Sequence, residues 1–291
     1  MGIQVKVIAD SFHSETNQRL TTIQIRCHRF IIPEINTHRV FSRNYSSSRA
    51  IPINKLIEQV ETDPALPIYW GSNQPGMRAD SELPVAQMNM CKEEWLNAAY
   101  KAADSARVLL KHGLHKQTAN RLLEPFVWVH GIITSSEWEN FFKQRCHPDA
   151  QPEIKALAEL IRDSINHSNP RELKLGEWHL PYLREDEIGV TSDDIYILQK
   201  ISAARCARVS YMKHDGTNPS IEDDLNLYNK LVGGDVCHYS PLEHQATPDS
   251  FDLLDQHKLF MNKYLHGNLN GWQQFRKIHE YTSGLKQLHL I

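Results

Sequence analysis

Between Asn36 and Arg49 the chain reads Asn-Thr-His-Arg-Val-Phe-Ser-Arg-Asn-Tyr-Ser-Ser-Ser-Arg, with three arginines and four serines in the eleven residues from Arg39 to Arg49. Guanidinium groups offer planar pairs of donors and serine hydroxyls offer short ones, which suits one phosphate held in one place. The competing reading is a solvated polar loop. Two further polar clusters stand at Arg121-Leu-Leu-Glu-Pro125 and Asn140-Phe-Phe-Lys-Gln-Arg145, and a third at His238-Tyr-Ser-Pro-Leu-Glu-His244. Three Cys-His dipeptides (Cys27-His28, Cys146-His147, Cys237-His238) raise the question of zinc. Adjacent residues seldom ligate one ion together, and no pair has structural-zinc spacing, so no metal is expected.

The elements that must position these residues read as α+β. Ile3 to Val7 and Leu20 to Arg26 alternate with period two, as strands do. Asn44 to Arg49 is read as a loop, and so are residues 64 to 81, rich in proline and glycine. From Val85 to His112, Met88, Cys91, Trp95, Ala99, Ala102, Ala106 and Leu109 recur at helical steps before Gly113, which predicts a long amphipathic helix with a glycine cap. Thr134-Ser-Ser-Glu137 has capping-box spacing and predicts a helix start, ending near Arg145 to His147. Asp149 is the expected cap of the next helix, striped by Ile154, Leu157, Ile161 and Ile165. Residues 167 to 190 read as a connector, and helices are expected from about Asp193 to Arg208 and Ser220 to Val232.

Composition narrows the function. The 32 basic and 35 acidic residues nearly balance, so no global charge favours a nucleic-acid or membrane partner. Single-strand binding needs aromatics interleaved with excess positive charge, and Trp138, Phe141, Phe142, Trp272 and Phe275 are better read as core. Five dispersed cysteines without a Cys-x-x-Cys pair argue for reduced thiols, and no apolar run suggests a leader or a span. The expectation is a cytoplasmic protein, with any anion met locally.

The motifs resemble those of the flavin-dependent thymidylate synthase family. That family's signature is Arg-His-Arg, seven residues, then Ser; here Thr37-His38-Arg39 precedes Ser47 by seven residues, and Arg49 follows. Arg121-Leu-Leu-Glu-Pro125 is similar to its Arg-x-x-Leu-Pro. Asn140 to Arg145 and Ala150-Gln-Pro-Glu-Ile154 are similar to its Asn-Phe-Leu-x-Leu-Arg and Ala-Gln-x-Glu-Ile. Ala207-Arg-Val-Ser210 and His238 to His244 resemble elements that normally precede the arginine motif. The order therefore reads as one circularly permuted domain over residues 1 to 291, which exposed, neighbouring termini make feasible. Two positions depart from the pattern: Thr37 replaces the first arginine, and Glu34 replaces a glutamine.

The resemblance implies a central mixed sheet flanked by long helices, a homotetramer, and reductive methylation of dUMP to dTMP. FAD would be the cofactor, with NADPH and methylenetetrahydrofolate as co-substrates and a deoxypyrimidine monophosphate as the molecule acted on. It assigns Arg145 as catalytic. It gives Glu34, Tyr45, Ser46, Ser47, Ser48, Arg49, Arg121 and Arg145 to the nucleotide, with Arg276 as a spatial replacement for the missing arginine. The flavin would be held by Thr37, His38, Arg39, Asn44, Asn140, Ser210, His238, Ser240 and Glu243. Cys146, just beyond Arg145, has no role in that pattern, although a thiol activated by nearby cations is the competing nucleophile. Two alternatives stand beside the main reading: C5 methylation or hydroxymethylation of dCMP or dUMP on the same scaffold, and a non-catalytic flavin-binding protein.

Overall fold

The computed structural model describes residues 2–183, 187, 194–209, 219–234, 236–251 and 260–287. Its first two strands are the alternating segments: β1 (Gln4–His13) and β2 (Arg19–His28) pair antiparallel, with a bulge between Val7 and Ala9. The turn between them holds Asn17 at φ 57°, a left-handed conformation that asparagine tolerates better than most residues. The helix α1 (Ile32–Asn36) leads into β3 (Ser42–Tyr45), and α2 (Ile53–Thr62) follows. The long helix is α3 (Val85–Lys111), closed as expected by Gly113 at φ 80°; the Gly113 N–H donates to Leu110 O and the Leu114 N–H to Leu109 O, both at 3.0 Å. A short α4 (Lys116–Ala119) runs into a 3-10 turn, Asn120–Phe126, and then β4 (Trp128–Ser135).

Here the sequence reading is corrected. Thr134 and Ser135 belong to β4, and the helix α5 (Glu139–Arg145) starts only after Trp138. Ile132, Ile133 and Thr134 are paired to Gln24, Ile23 and Thr22 of β2, and that ladder outweighs a local cap. The Ser135 hydroxyl still accepts from the Glu137 N–H at 3.0 Å, so the capping-type bond survives as a turn. Asp149 is not the cap of α6 (Pro152–Asn166): Gln151 occupies that position, and the Asp149 carboxylate pairs with Arg78. Asn44 and Tyr45 are in β3 rather than in a loop, and the connector contains a short strand, β5 (Arg171–Leu173).

The sheet order is β3-β4-β2-β1-β5, antiparallel except for the parallel β1–β5 pair, so the sheet is mixed and the fold α+β as expected. One face is covered by α6, whose Ile154, Leu157, Ala158, Ile161 and Ile165 pack on Ile23, Ile25, Val129 and Ile133. Each large aliphatic side chain buried there contributes about 1.5–3 kcal/mol, which holds α6 in place. A second core joins α2 and α3 through Leu56, Ile57, Val60, Ala99, Ala103 and Ala106.

The C-terminal half comprises α7 (Ile195–Arg208), capped by Asp194, and α8 (Ile221–Val232), opened by a capping box of Ser220 and Asp223. After a 3-10 turn, Ser240–Glu243, come β6 (Ala246–Pro248), β7 (Trp272–Gln274) and α9 (Phe275–Gln287). A buried chain of side chains ties this half to the sheet. Ser11 Oγ meets His179 Nδ1 at 2.9 Å, His179 Nε2 meets Thr22 Oγ1 at 2.8 Å, Thr22 meets Thr134 at 2.6 Å, and Thr134 meets His244 Nδ1 at 2.8 Å. Burial holds both histidines far below their ordinary range, at about 3, so the chain is a neutral one.

Candidate active site

The site begins where α1 ends. The Thr37 N–H donates to Glu34 O at 3.2 Å, and its hydroxyl donates to the same carbonyl at 2.6 Å, which closes the helix and turns the chain toward β3. The turn is fixed from β3 by Arg43, whose guanidinium donates to His38 O at 2.9 Å, Phe41 O at 3.1 Å and Asn36 O at 3.3 Å. His38 is thereby pressed into the aromatic cluster of Phe41 and Phe141, with ring centroids 5.7 and 4.9 Å away. Burial first, then the charges of Arg145 and Arg43, lower the His38 pKa to about 4. The imidazole is neutral at physiological pH and available as an acceptor.

Arg145, in the last turn of α5, uses it. Its Nε–H donates to His38 Nε2 at 3.0 Å, and its Nη2 to the Thr37 hydroxyl at 3.2 Å. An acceptor Nε2 leaves the imidazole proton on Nδ1. The other N–H donors of Arg145 meet no acceptor, and its charge meets no carboxylate, among the described residues. Motif residues 107 positions apart are therefore joined directly.

The serine loop forms a second group. Tyr45 lies against Gly131, where an added Cβ would come within 2.5 Å of the ring, so only glycine admits this packing. The Ser46 N–H donates to His130 O at 2.8 Å. Ser47 accepts through its carbonyl from the Ala50 N–H at 3.0 Å, which folds the loop back on itself. Asn120 Nδ2 donates to Ser48 O at 2.6 Å and Ile51 O at 3.0 Å, and Lys116 Nζ to Ala50 O at 2.9 Å. The Ser48 hydroxyl donates to Glu124 Oε1 at 2.7 Å, and Arg121 reaches the same oxygen. Arg49 and Arg39 are exposed, with no side-chain partner among the described residues.

The C-terminal motif reaches the edge of the same sheet. Gln274 Nε2 donates to Ser42 Oγ of β3 at 3.3 Å and to Glu243 O at 3.2 Å, which holds the Ser240–Glu243 turn beside β3 and Asn44. Arg276 pairs with Glu243 and, at 2.7 Å, with Glu280, and its guanidinium lies 5.3 Å from the Tyr239 ring. Neither Thr37 nor Arg145 is among its partners, so Arg276 is held at the C-terminal group. His238, Ser240 and Asn140 are exposed, and Ser210 lies outside the described residues. Burial pushes the Cys146 thiol above its ordinary value, the opposite of what a thiolate nucleophile needs.

Two residues that sequence reasoning missed shape the site. Arg43 acts only through backbone carbonyls that the fold brings to it, and nothing in the sequence marks that. Glu124 was visible as the residue standing where the Arg-x-x-Leu-Pro motif carries leucine.

A guanidinium without a carboxylate among the described residues, set beside a neutral imidazole, is an arrangement that can hold an anion and stabilise charge developing beside it. The match to known families makes the class specific: residues 5–171 match the thymidylate synthase complementing protein family. The chain belongs to that family, the flavin-dependent thymidylate synthases, and is an enzyme of the flavin-dependent methyltransferase type. The C-terminal segments read as permuted lie beyond the matched residues. Among solved structures, the UMP/dUMP methylase PolB from Streptomyces cacaoi bound with 5-Br dUMP is similar at 15% identity and a TM-score of 0.47, over 56% of this chain and 89% of that one. ThyX from Helicobacter pylori, complexed with FAD and dUMP, is similar at 20% identity and a TM-score of 0.34, over 50% of this chain and 67% of that one. No curated protein matches. Among the described residues no helix is long and apolar enough to cross a membrane, and no cluster of three His, Cys, Asp or Glu side chains is placed to hold a metal ion.

Proposed function

We propose that this enzyme methylates dUMP at C5 to give dTMP, with FAD as cofactor and NADPH and methylenetetrahydrofolate as co-substrates. The observation that carries the reading is Arg145: its charge is uncompensated, its Nε is fixed by a neutral His38, and its remaining donors are free. The residues present fit the groups to be bound. Asn44 Nδ2 and Glu34 Oε2 are buried without partners, and the guanidiniums of Arg39 and Arg49 are unengaged.

Ser46, Ser47, Ser48, Arg49 and Arg121 hold the nucleotide phosphate, with Tyr45 and Glu34 flanking the nucleoside. Arg145 faces the pyrimidine and stabilises the negative charge that gathers on the ring as C5 attacks the one-carbon unit. Its guanidinium stays protonated throughout and acts as a fixed charge. His38, being neutral, adds no competing cation and keeps the fork of Arg145 from rotating. Thr37, His38, Arg39, Asn44, Asn140, His238, Ser240 and Glu243 would hold the flavin, with Ser210, outside the described residues, assigned to it by the resemblance; the flavin, once reduced by NADPH, would supply the hydride that completes the methyl group. The reading includes a cytoplasmic homotetramer in which neighbouring subunits complete each site, and His238, Ser240 and Asn140 are exposed and accessible to such a neighbour. Purified protein offered FAD should turn yellow and convert dUMP to dTMP; a sample that stays colourless contradicts the reading.

Glu34 favours a second reading. Its Oε2 is buried without a donor, and a carboxylate in that state accepts well from the exocyclic amine of cytosine. In that case dCMP is the nucleotide and its C5-methylated or hydroxymethylated form the product. Parallel assays with dUMP and dCMP, with product masses determined, separate the two.

A further inference from the structure

We propose that Glu124 is a built-in competitor for the nucleotide phosphate, a carboxylate seated on the donors the phosphate needs, which sets how tightly this enzyme holds its nucleotide. The inference rests on the reading of Ser48, Arg49 and Arg121 as phosphate groups.

One oxygen, Glu124 Oε1, accepts from Ser48 Oγ at 2.7 Å and from Arg121 Nη1 at 2.7 Å, and lies 3.0 Å from Arg29 Nη2. A hydroxyl and two guanidiniums converging on a single oxygen form the donor set an oxyanion requires. The carboxylate stands where the family's arginine motif carries leucine, so an anion replaces an apolar side chain at this position. Burial works to raise its pKa, but the Ser48 hydroxyl, Arg29 and Arg121 outweigh that and hold it below the usual carboxylate range. Glu124 is therefore charged at neutral pH.

The serine loop keeps its place without the carboxylate. Asn120 and Lys116 bind the serine loop through the Ser48, Ala50 and Ile51 carbonyls, fixing it to the segment that carries Arg121 and Glu124. Arg49, on the same loop, is unengaged. A phosphate arriving beside Arg49 finds Ser48 and Arg121 committed to a like charge, and it must displace that charge or share the donors with it. Glu124 thereby lowers nucleotide affinity through the donors it occupies.

The test is calorimetric titration of the FAD-loaded enzyme with dUMP and with deoxyuridine, in the natural protein, the near-isosteric E124Q and the E124L that restores the family residue. Removing one charge adjacent to the phosphate at a partly exposed site should tighten dUMP binding about tenfold in both variants. Deoxyuridine, lacking the phosphate, should bind all three equally, and the gain for dUMP should shrink in high salt. Equal or weaker dUMP binding in E124Q overturns the proposal, because the carboxylate then orients Arg29 and Arg121 for the phosphate. A protein that binds dUMP in none of the three forms overturns the nucleotide reading itself, and the proposal with it.

Discussion

Replacing Arg145 by alanine isolates the charge on which the proposed chemistry turns. In the structure the guanidinium is bound through Nε to His38 and through Nη2 to Thr37, and no carboxylate neutralises it. A unit charge about 4 Å from the developing negative charge is worth ~4 kcal/mol at the effective dielectric of a partly enclosed site. At about 1.4 kcal/mol per tenfold, R145A should lower kcat by roughly 10²–10³, the range seen when one oxyanion donor is removed. Nucleotide affinity should fall far less, since the phosphate groups are untouched. R145K should recover part of the turnover, because it restores the charge without the planar fork. A second readout is His38. Arg145 is the second cause of its lowered pKa, after burial, so R145A should move the His38 titration up from about 4 while leaving it below the ordinary 6.5. Single-turnover rates, equilibrium dUMP binding and histidine NMR titration make the three measurements. Equal collapse of binding and turnover would refute the assigned role, and so would a His38 that titrates unchanged.

Arg49→Ala should weaken dUMP binding by about tenfold with little change in turnover at saturation, measured by titration and steady-state kinetics, because an exposed single guanidinium contributes on the order of 1.4 kcal/mol to a phosphate contact. Stability should rise with pH between 5 and 7.5. His38, His179 and His244 have folded pKa values of about 4, 3 and 3, below the ordinary 6.5, so the unfolded chain takes up protons first and the native state loses ground as pH falls through 6.5. Urea midpoints that stay flat over that window would contradict it. Cys146→Ala should keep its turnover in the dUMP assay, since a thiol raised by burial is no nucleophile, and complete loss would reinstate a thiolate mechanism.

The parts of the fold legible in the sequence are those whose local signals agree with their packing. β1 and β2 alternate in sequence, α3 ends on a glycine that adopts the left-handed conformation, and α8 runs from Ile221 to Val232, as expected to within a residue. β4 was hidden because the adjacent Ile132 and Ile133 break the period-two alternation, and its last residues mimic a helix cap. β3, four residues long, was hidden inside a polar run whose serines looked like loop. In the site, the resemblance singled out His38 and Arg145 separately, for flavin and nucleotide, but not the bond between them, since no local pattern spans 107 residues. Arg43 was out of reach because its partners are main-chain oxygens that exist as a cluster only after the chain has turned.

The hydroxyl and imidazole chain from Ser11 to His244 couples the motif that ends in Glu243 to the first strands of the chain. The links are buried, so prising off the segment that carries His244 takes from Thr134 one of its two side-chain partners, at a cost of roughly 1–3 kcal/mol. The turn that carries Glu243 is thereby anchored, through His244, to β4 and β2, which lie far away along the chain.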